Sequence, residues 1–427
     1  MKNNKTKTVC VVGLGYIGLP TAAFLAMQGL QVIGVDVSND VVDSVNAGVL
    51  HFQEPELEAI LKGVVAAGSL KAVAVPEPAE VFVIAVPTPI GSDLNPDLSF
   101  VLAATRSLAP VLNAGDLVVL ESTSPVGSTE RICGLIAELR PDLVVDGELA
   151  IDAAHCPERV LPGQIVRELL DNDRIVGGVN EQSTQRAATF YRAFARGKVH
   201  ETDARTAELA KLTENAFRDV NIAFANELSI ICDRLGINVW NLIELANCHP
   251  RVNVLKPGPG VGGHCIAVDP WFIVSSDPED ARLIRMAREI NDGKRDYVVT
   301  QVLSAVAGMN HPVVACLGLT FKANVDDVRE SPALHIVDML ARRANFPIVA
   351  CDPMLKAMPE SLADGRVQWN PDPISTVAGA DVVVLLVDHN AFQAIPRTAL
   401  AGKAIVDTRG LWRHLTDGRK VSDLRNA

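Results

Sequence analysis

A glycine-rich turn between two short apolar runs constrains the fold of this chain more than any other feature. Residues 8–12 read Thr-Val-Cys-Val-Val, Gly13, Gly15 and Gly18 follow, and an alanine-rich stretch leads to a second apolar run that ends at Asp36. This order predicts strand, turn, helix and strand. In that fold the first glycine permits the turn, the second a close approach to pyrophosphate and the third close helix packing. The alternative is an accidental glycine turn.

The acid at the end of the second run bears on the choice of cofactor. Asp36 is placed where the ribose diol of a dinucleotide would lie, and a carboxylate there repels a 2′-phosphate. The sequence therefore predicts NAD rather than NADP. The candidate cofactor-binding residues of this segment are Gly13, Gly15, Tyr16, Ile17, Gly18 and Asp36.

Two later apolar runs, residues 81–86 and 117–124, predict further strands of the same sheet. Hydroxyl-bearing residues lie at their ends, and an open α/β sheet binds its ligand at the carboxyl ends of its strands. Thr88 and Thr123 are therefore candidates to contact the cofactor or the reacting group. For Thr123 the alternative is helix capping.

The strand and helix pattern recurs near the carboxyl terminus without the glycine fingerprint. Ser331 is placed to cap a helix from Pro332 to about Ala344. A second nucleotide-type sheet is therefore expected. Its candidate strands are residues 313–320, 347–352, 382–387 and 404–407.

Cationic residues near these strands suggest how the second sheet binds a ligand. We expect binding through Lys322, Arg329 and Arg409 instead of a helix N-terminus. Surface ion pairing is the alternative for each of them.

Residues 203–235 lack proline and carry apolar residues at spacings of three and four, which predicts one long helix. At about 1.5 Å per residue it would span roughly 50 Å, so we expect it to join domains and to bury one face in a homodimer. A chain of 427 residues exceeds one hydrophobic core, and the predicted domains are residues 1–200, 201–300 and 301–427. The predicted fold class is α/β, with two Rossmann-like doubly wound domains joined by a long central helix.

Charge and composition argue against several classes of protein. The formal charge of −12 disfavours binding to a nucleic-acid backbone. Apolar runs such as residues 382–387 are far shorter than the roughly 18 residues of a membrane helix, so no membrane partner is expected. Eight cysteines without a Cys-x-x-Cys pair favour the reducing cytosol over a disulfide framework or a metal site.

A loop with four glycines in residues 257–263 delivers one thiol, Cys265, and then one carboxylate, Asp269. Glycines let the backbone come close to a ligand, which predicts a tightly held ligand beside a nucleophile. The alternative is a buried, inert thiol. His264 is a less suitable base for Cys265, because neighbouring side chains in an extended loop point apart.

On the predicted long helix, Lys211, Asn215 and Arg218 share one face. Such residues usually form a solvated stripe. If this face meets the Cys265 loop, Lys211 can lower the pKa of the thiol and stabilise an oxyanion.

Six separated motifs together resemble the UDP-glucose/GDP-mannose dehydrogenase family over the whole chain. Their order along the chain is that of the family. They are the glycine fingerprint at residues 13–18, Ser-Thr-Ser-Pro-Val-Gly at 122–127, Cys-Pro-Glu-Arg at 156–159, Lys-Leu-Thr-Glu-Asn at 211–215, Gly-Gly-His-Cys at 262–265, and Gly-Leu-Thr-Phe-Lys-Ala-Asn-Val-Asp-Asp-Val-Arg-Glu-Ser-Pro at 318–332.

The resemblance implies a four-electron oxidation of a nucleotide sugar at C6, from alcohol to carboxylate, with two NAD⁺ and a covalent thiohemiacetal and thioester at Cys265. It implies that Lys211 and Asn215 stabilise oxyanions and that Asp269 and Thr123 position or activate water. Glu158 is then an acid or base in thioester hydrolysis. Phe321, Lys322 and Arg409 would hold UDP, and Arg329 would reach NAD.

The run after the cysteine departs from the UDP-glucose branch of the family. That branch commonly continues Phe-Pro-Lys-Asp, whereas this chain has Ile266-Ala-Val-Asp269, so Val268 replaces the lysine. Similarity to the branch that oxidises N-acetylated UDP-hexosamines implies a UDP-sugar substrate of that kind, with the epimer left open among mannosamine, glucosamine and galactosamine, and UDP-glucose as a further alternative. The remaining candidate substrate contacts are Arg159, Val160, Arg218, His249, Arg251, Asn253 and Gly262, some of them possible contacts to the neighbouring subunit's site.

Two other classes of protein remain open from the sequence. A single-step alcohol or decarboxylating sugar-acid dehydrogenase would share the dinucleotide fold but would not need the Cys265 loop. A non-catalytic sensor would bind a nucleotide sugar and NAD without forming NADH.

Overall fold

The computed structural model describes residues 7–52, 54, 56–160 and 163–413. The chain divides into two compact units, Met1–Glu214 with Trp271–Pro278, and Asn215–Pro270 with Glu279–Ala427. The three predicted domain boundaries stay a prediction. Within the described ranges, no helix is long and apolar enough to cross a membrane.

The first unit contains an eight-stranded sheet in the order β10-β9-β8-β5-β4-β1-β2-β3. Neighbouring strands are parallel except β8 and β9, which pair antiparallel. The predicted strands at residues 81–86 and 117–124 are present but end earlier. The strands are β1 (Thr8–Val12), β2 (Gln31–Val35), β3 (Leu70–Val73), β4 (Val81–Ile84), β5 (Leu117–Leu120), a separate antiparallel pair β6 (Val144–Val145) and β7 (Glu148–Leu149), β8 (Asp152–His155), β9 (Arg174–Gly178) and β10 (Val199–Asp203).

Helices cover this first sheet on both faces. Because side chains alternate along a strand, Val9 and Val11 join one buried cluster while Cys10 and Val12 join another on the opposite face. The helices are α1 (Gly18–Met27), α2 (Asn39–Asn46), α3 (Leu57–Ala66), α4 (Ser99–Leu108), α5 (Ser128–Leu139), α6 (Ile165–Asp171) and α7 (Glu181–Arg192).

The predicted long helix is confirmed as α8 (Ala204–Leu235). Its apolar stripe is exposed in this single chain, with Phe217 68%, Phe224 56% and Ile231 46% accessible, whereas Asp219 and Asn226 are buried. Shorter α9 (Val239–Ala246) and α10 (Asp269–Ser276) follow, and then the 25-residue α11 (Arg282–Val306).

The second unit contains a five-stranded parallel sheet in the order β13-β12-β11-β14-β15, which confirms the predicted second α/β fold. The predicted cap is also confirmed, since the Ser331 hydroxyl accepts a hydrogen bond from the Leu334 amide at 3.3 Å. The strands are β11 (Val314–Leu317), β12 (Ile348–Cys351), β13 (Val367–Trp369), β14 (Val382–Leu385) and β15 (Ala404–Asp407), and the helices are α12 (Pro332–Arg343), α13 (Pro373–Ala378), α14 (Asn390–Gln393) and α15 (Arg397–Leu400).

Candidate active site

The turn after β1 has the three glycine functions that the sequence predicts. Gly13 has a φ of +95°, and a Cβ there would lie 2.6 Å from the Ala85 carbonyl oxygen. A Cβ on Gly18 would lie 1.8 Å from the Gly13 carbonyl oxygen, so α1 packs directly on the turn. Gly15 is exposed and has open space around its Cα, as close approach of a ligand requires. The turn therefore fits a pyrophosphate at the start of α1.

Asp36 follows β2 and holds this turn in place. One carboxylate oxygen accepts the Leu14 amide at 2.9 Å, and the other accepts the Ser38 amide at 2.9 Å. The carboxylate is half-buried, so it keeps an accessible side. Tyr16 and Ile17 lie between the turn and α1, and the Tyr16 hydroxyl donates to Glu54 at 3.0 Å. These residues fit the adenosine half of NAD.

Thr88 and Thr123 come together beyond the ends of β4 and β5. The Thr88 hydroxyl donates to the Thr123 carbonyl oxygen at 2.7 Å. Because α5 begins at Ser128 with Gly127 as its N-cap, Thr123 does not cap that helix. The Ser122 hydroxyl donates to the Val86 carbonyl at 2.7 Å, which takes the chain out of the strand ladder and shortens both strands.

A residue that sequence reasoning missed, Glu208, supports this same segment. Its buried carboxylate accepts the Gly127 amide at 2.6 Å and the Thr129 amide at 2.8 Å, and so caps α5 from outside. Burial raises the pKa of Glu208, and the bonds from Thr129 and Gly127 oppose that rise. No local pattern in the sequence points to this contact.

Glu158 and Arg159 are held by charged partners. The Arg159 guanidinium pairs with Glu214 of α8 at 2.6 Å, which ties the Cys-Pro-Glu-Arg motif to the Lys-Leu-Thr-Glu-Asn motif. Glu158 is nearly buried and lies 3.8 Å from the Arg174 guanidinium. Val160 packs against the hydrophobic core of the first unit, which gives this predicted substrate contact a structural role as well.

A second carboxylate, Glu121, lies buried in the same region and was not predicted. It accepts hydrogen bonds from the Tyr191 hydroxyl at 3.1 Å and the Thr21 hydroxyl at 3.2 Å. Burial raises the pKa of Glu121 to about 7, and the negative charge of Glu158 adds to the rise.

On α8, the predicted face of Lys211, Asn215 and Arg218 is only partly turned inward. Lys211 and Asn215 are half-buried, whereas Arg218 is exposed. Burial lowers the pKa of His155 to about 3; the Leu120 carbonyl opposes this and the positive charge of Lys211 adds to it, which places that ammonium near the end of β8.

Asn215 meets the cysteine loop through Asp269. Its amide donates to the Asp269 carboxylate at 2.5 Å. Cys265 is half-buried, and its carbonyl accepts the amides of Val268 and Asp269 at 3.0 and 2.8 Å. The thiol is therefore not a deeply buried core residue. The extended loop that the sequence suggested is wrong here, because the chain turns at Cys265 to start α10.

Three glycines before Cys265 pack against the segment between β11 and α12. A Cβ on Gly262 would lie 2.6 Å from the Glu330 carbonyl oxygen, and one on Gly263 would lie 3.1 Å from the Phe321 ring. The Gly263 amide donates to the Arg329 carbonyl at 3.2 Å. Gly260 has a φ of +141°, which a side chain rarely adopts. Packing thus explains the glycines, and it joins the cysteine loop to the Phe321 segment.

Two of the three cations expected to bind nucleotide form ion pairs with neighbours. Arg329 pairs with Asp327, and Arg409 pairs with Asp388 at 2.8 Å. Arg409 also lies against the glycine loop, since a Cβ on Gly258 would meet its Nη1 at 2.6 Å. Lys322 is exposed.

His264 and the loop after α9 complete the set of predicted residues. Burial raises the pKa of Asp327, but bonds from Arg329 outweigh it and bring the pKa below its usual value, with His264 contributing to this. His264 therefore lies close to Asp327. His249, Arg251 and Asn253 are exposed.

Comparison with known proteins supports one family for the whole chain. Models of the UDP-glucose/GDP-mannose dehydrogenase family match in three parts: the NAD binding domain at residues 7–195, the central domain at 205–293 and the UDP binding domain at 315–414. An NDP-N-acetyl-D-galactosaminuronic acid dehydrogenase of Ralstonia solanacearum is 53% identical over 410 residues, which are 95% of this chain and 96% of the relative.

Further relatives agree with that assignment. The UDP-N-acetyl-D-mannosamine dehydrogenase of Escherichia coli K12 is 50% identical over 418 residues, covering 95% of this chain and 99% of the relative. Among solved structures, the UDP-D-ManNAc dehydrogenase of Pyrococcus horikoshii is 38% identical with a TM-score of 0.85, and the match covers 95% of this chain and 96% of that one. The chain belongs to the UDP-glucose/GDP-mannose dehydrogenase family, whose members are NAD-dependent sugar-nucleotide dehydrogenases.

Proposed function

We propose that this protein oxidises UDP-N-acetyl-D-mannosamine at C6 to UDP-N-acetyl-D-mannosaminuronate, in the synthesis of a surface polysaccharide. The observation that carries the proposal is the pairing of Asn215 with Asp269, one turn after Cys265. This contact joins a thiol, a carboxylate and an amide donor in one short segment. Nearly full-length relatives that act on N-acetylhexosamine nucleotides support the substrate class.

The thiol of Cys265 makes the second oxidation possible. Its sulfur adds to the C6 aldehyde and forms a thiohemiacetal, which can lose a hydride where a free aldehyde cannot. Loss of that hydride gives a thioester. Water then attacks the carbonyl carbon, the C–S bond breaks, and the carboxylate leaves with the thiol regenerated. NAD⁺, when bound, accepts one hydride in each of the two oxidations, so two NADH form per sugar.

Polar residues around the thiol have separate roles in this proposal. Lys211 and Asn215 stabilise the oxyanions that form on the C6 oxygen. Asp269, oriented by Asn215, and Thr123 position or activate water. Glu158 acts as acid or base in thioester hydrolysis, and its contact with Arg174 keeps its charge paired.

The remaining predicted residues divide between the two ligands. Gly13, Gly15 and Asp36, with the residues between them, hold NAD through the turn geometry. Arg329 also contacts NAD in this proposal. The proposed UDP-sugar contacts are Glu158, Arg159, Val160, Lys211, Asn215, Arg218, His249, Arg251, Asn253, Gly262, Phe321, Lys322 and Arg409.

A second substrate deserves equal testing because of one specific comparison. The Ralstonia relative, named for N-acetyl-D-galactosaminuronic acid, is 53% identical, slightly above the 50% of the mannosamine enzyme of Escherichia coli. The UDP-N-acetylgalactosamine reading therefore stays beside the mannosamine reading.

Two further features support a cytosolic homodimer. Phe217, Phe224 and Ile231 recur every seven residues on α8 and are exposed, as a helix face covered by a second copy would be. All eight cysteines are unpaired, which agrees with a reducing compartment.

The test is the yield of NADH per sugar nucleotide, measured for UDP-N-acetylmannosamine, UDP-N-acetylgalactosamine, UDP-N-acetylglucosamine and UDP-glucose. We expect two NADH from one N-acetylhexosamine nucleotide, and none of this full oxidation in Cys265→Ala. Cys248→Ala removes an exposed thiol and is the matched control, with activity unchanged.

Other outcomes would point to another class of protein. One NADH per sugar, or full turnover without Cys265, would contradict the covalent route and indicate a single-step dehydrogenase. Binding of both ligands without NADH would indicate a sensor. Two NADH from a different sugar would correct the substrate only.

A further inference from the structure

Helices α8 and α11 meet in the second unit through polar groups instead of apolar ones. Asp219, Asn226 and Asn291 are fully buried, and Arg288 is 1% exposed. Burying four such side chains at a helix contact is unfavourable unless each finds hydrogen-bond partners. The arrangement is thus expected to serve a purpose that apolar packing would not.

The hydrogen bonds between these residues run in one direction. The Gly258 amide donates to Asn226 Oδ1 at 2.8 Å, Asn226 Nδ2 donates to Asn291 Oδ1 at 2.8 Å, and Asn291 Nδ2 donates to the Asp219 carboxylate at 2.8 Å. A backbone N–H can only donate and a carboxylate can only accept. The two ends therefore fix the orientation of both amides. We call Asn226 and Asn291 the asparagine relay.

The far end of the relay is held by an ion pair. Arg288 donates to the Asp219 carboxylate at 2.7 Å and to Asp292 at 2.8 Å. The guanidinium is almost inaccessible, so water does not screen the contact with Asp219. Asp219 is consequently a fixed acceptor for the relay.

The near end of the relay is the start of the loop that carries Cys265. Gly258 lies between Pro257 and Pro259, which have no amide hydrogen, so it is the sole backbone donor of these three residues. Two residues on, a Cβ at Gly260 would lie 3.1 Å from the Asn291 carbonyl oxygen. The relay and α11 therefore determine where this part of the backbone lies.

We propose that the asparagine relay positions the loop of residues 257–263, and through it the Cys265 thiol, for attack on the C6 aldehyde. Asn226 and Asn291 are positioning residues, since they contact the loop and not the reacting atoms. The proposal rests on the proposed function for its substrate. Covalent chemistry needs reacting atoms about 3–3.5 Å apart, and a displacement near 1 Å can slow a reaction about 100-fold.

The first test replaces Asn226 with leucine, which has similar volume but cannot hold the Gly258 amide. We expect kcat per folded molecule to fall about 10- to 100-fold, while the dissociation constant for NAD changes less than twofold because the glycine turn of the first unit is untouched. Ser229→Ala is the matched control. It removes the bond of Lys294 to Ser229 Oγ between the same two helices, one turn away from the loop contact.

The control separates positioning from stability. Both variants are expected to lower the melting temperature. Only Asn226→Leu should lower kcat, and an equal fall in both variants, or none in Asn226→Leu, would overturn the proposal.

A second test uses the direction of the relay. Asn291→Asp still accepts from Asn226 but turns a carboxylate oxygen toward the Asp219 carboxylate, so we expect a large fall in kcat. Adding Asp219→Asn reverses the donor and acceptor at that contact and keeps the net charge. The double variant should recover at least fivefold of the lost kcat. Recovery stays partial because Asn291 also donates to the Asp219 carbonyl oxygen at 3.1 Å. Absence of recovery would count against the relay.

A third measurement is independent of the proposed substrate. Iodoacetamide labelling of Cys265, followed by mass spectrometry of its peptide, reports presentation of the thiol in the resting protein. We expect the labelling rate to change at least fivefold in Asn226→Leu and less than twofold in Ser229→Ala. If native protein forms no NADH but these rates differ as stated, the proposed function fails and the relay stands. Equal labelling rates in native protein and Asn226→Leu would refute the relay.

Discussion

The two sheets use the same edge in different ways. In the first unit, α1 begins at Gly18, five positions after Gly13, so a helix N-terminus lies directly at the turn after β1. In the second unit, α12 begins only at Pro332, fourteen positions after Gly318, and the intervening loop carries Lys322 and Arg329. One sheet offers backbone amides to a ligand, and the other offers mobile cationic side chains.

The acids at the ends of β2 and β12 differ in the same sense. Asp36 is half-buried and accepts two backbone amides. Asp352 is fully buried and accepts three, from Leu319, Thr320 and Met354, besides a contact with His389. Asp36 thus keeps an accessible side for a ribose diol. Asp352 is occupied by the protein itself, so the fold alone does not make a dinucleotide site.

His389 shows how the second loop is held without a helix. Its Nδ1 accepts the Asn324 amide at 2.9 Å, so the ring proton lies on Nε2, which is 3.1 Å from the Asp352 carboxylate. Asn324 has a φ of 61°, a strained conformation that this contact stabilises. The loop of Lys322 is therefore anchored at its middle.

The largest expected effect comes from the glycine turn. Gly18→Ala places a methyl group 1.8 Å from a backbone oxygen, and we expect a loss of more than about 4 kcal/mol in the free energy of unfolding. Urea unfolding followed by circular dichroism measures it. Gly15→Ala is the control, because nothing lies within 4 Å of its Cβ. It should unfold like the native protein but bind NAD at least tenfold more weakly. Unchanged NAD affinity would show that Gly15 does not face the pyrophosphate.

The next effect compares the two acids. Asp352→Ala leaves three buried amides and His389 without an acceptor, and we expect a loss of about 3–5 kcal/mol. Asp36→Ala should lose only about 1–2 kcal/mol, since its environment is partly solvated, but should weaken NAD binding. Equal losses in denaturant unfolding would remove the distinction drawn between the two sheets.

Local patterns in the sequence predicted one of these sheets better than the other. The functions of Gly13 and Gly18 follow from neighbours within six positions, and they are confirmed. The contact of Asp352 with His389 joins residues 37 positions apart, and that of Asn226 with Asn291 spans 65. Pairings of this kind depend on how helices and strands pack, which composition and spacing do not encode.

Periodicity on α8 illustrates the same limit. The spacing of Phe217, Phe224 and Ile231 predicted a helix with an apolar face, and the helix is present. The face that packs within this chain is a different one, with Asp219 and Asn226 buried. Spacing identifies the apolar side chains but not the surface that covers them, so the polar relay could not be predicted.

A third effect concerns pH, because two buried acids shift in opposite directions. Burial raises the pKa of Glu121 to about 7, above its ordinary 4.5, so the folded state binds more protons than the unfolded state between these values. Stability is then lost as pH rises from 4.5 to 7. For Asp352, burial alone would raise the pKa, but the bonds from His389 and the backbone amides lower it, so its contribution is present above about pH 3.8 and is lost on acidification.

Glu121→Gln tests the first of these shifts. Glutamine can still accept from Tyr191 and can donate to Thr21, while its charge no longer titrates. We expect the free energy of unfolding at pH 8 to rise by on the order of 2 kcal/mol relative to native protein, with little difference at pH 4.5. Denaturant unfolding at several pH values measures this. A pH-independent difference between the two proteins would show that Glu121 does not titrate in this range.

The smallest effect tests the cationic loop of the second sheet directly. Lys322 is exposed, so its contact with a phosphate is worth about 1–1.5 kcal/mol, and Lys322→Ala should weaken binding of UDP alone about tenfold. The loss should shrink at high salt, because salt screens an exposed ammonium. Affinity for NAD should not change, and Arg342→Ala, which removes an exposed pair with Asp338, should leave both affinities unchanged. If Lys322→Ala bound UDP as tightly as native protein at low salt, the second sheet would have to bind its ligand through Arg409 and the backbone, and the contrast between helix and cationic side chains would rest on Arg409 alone.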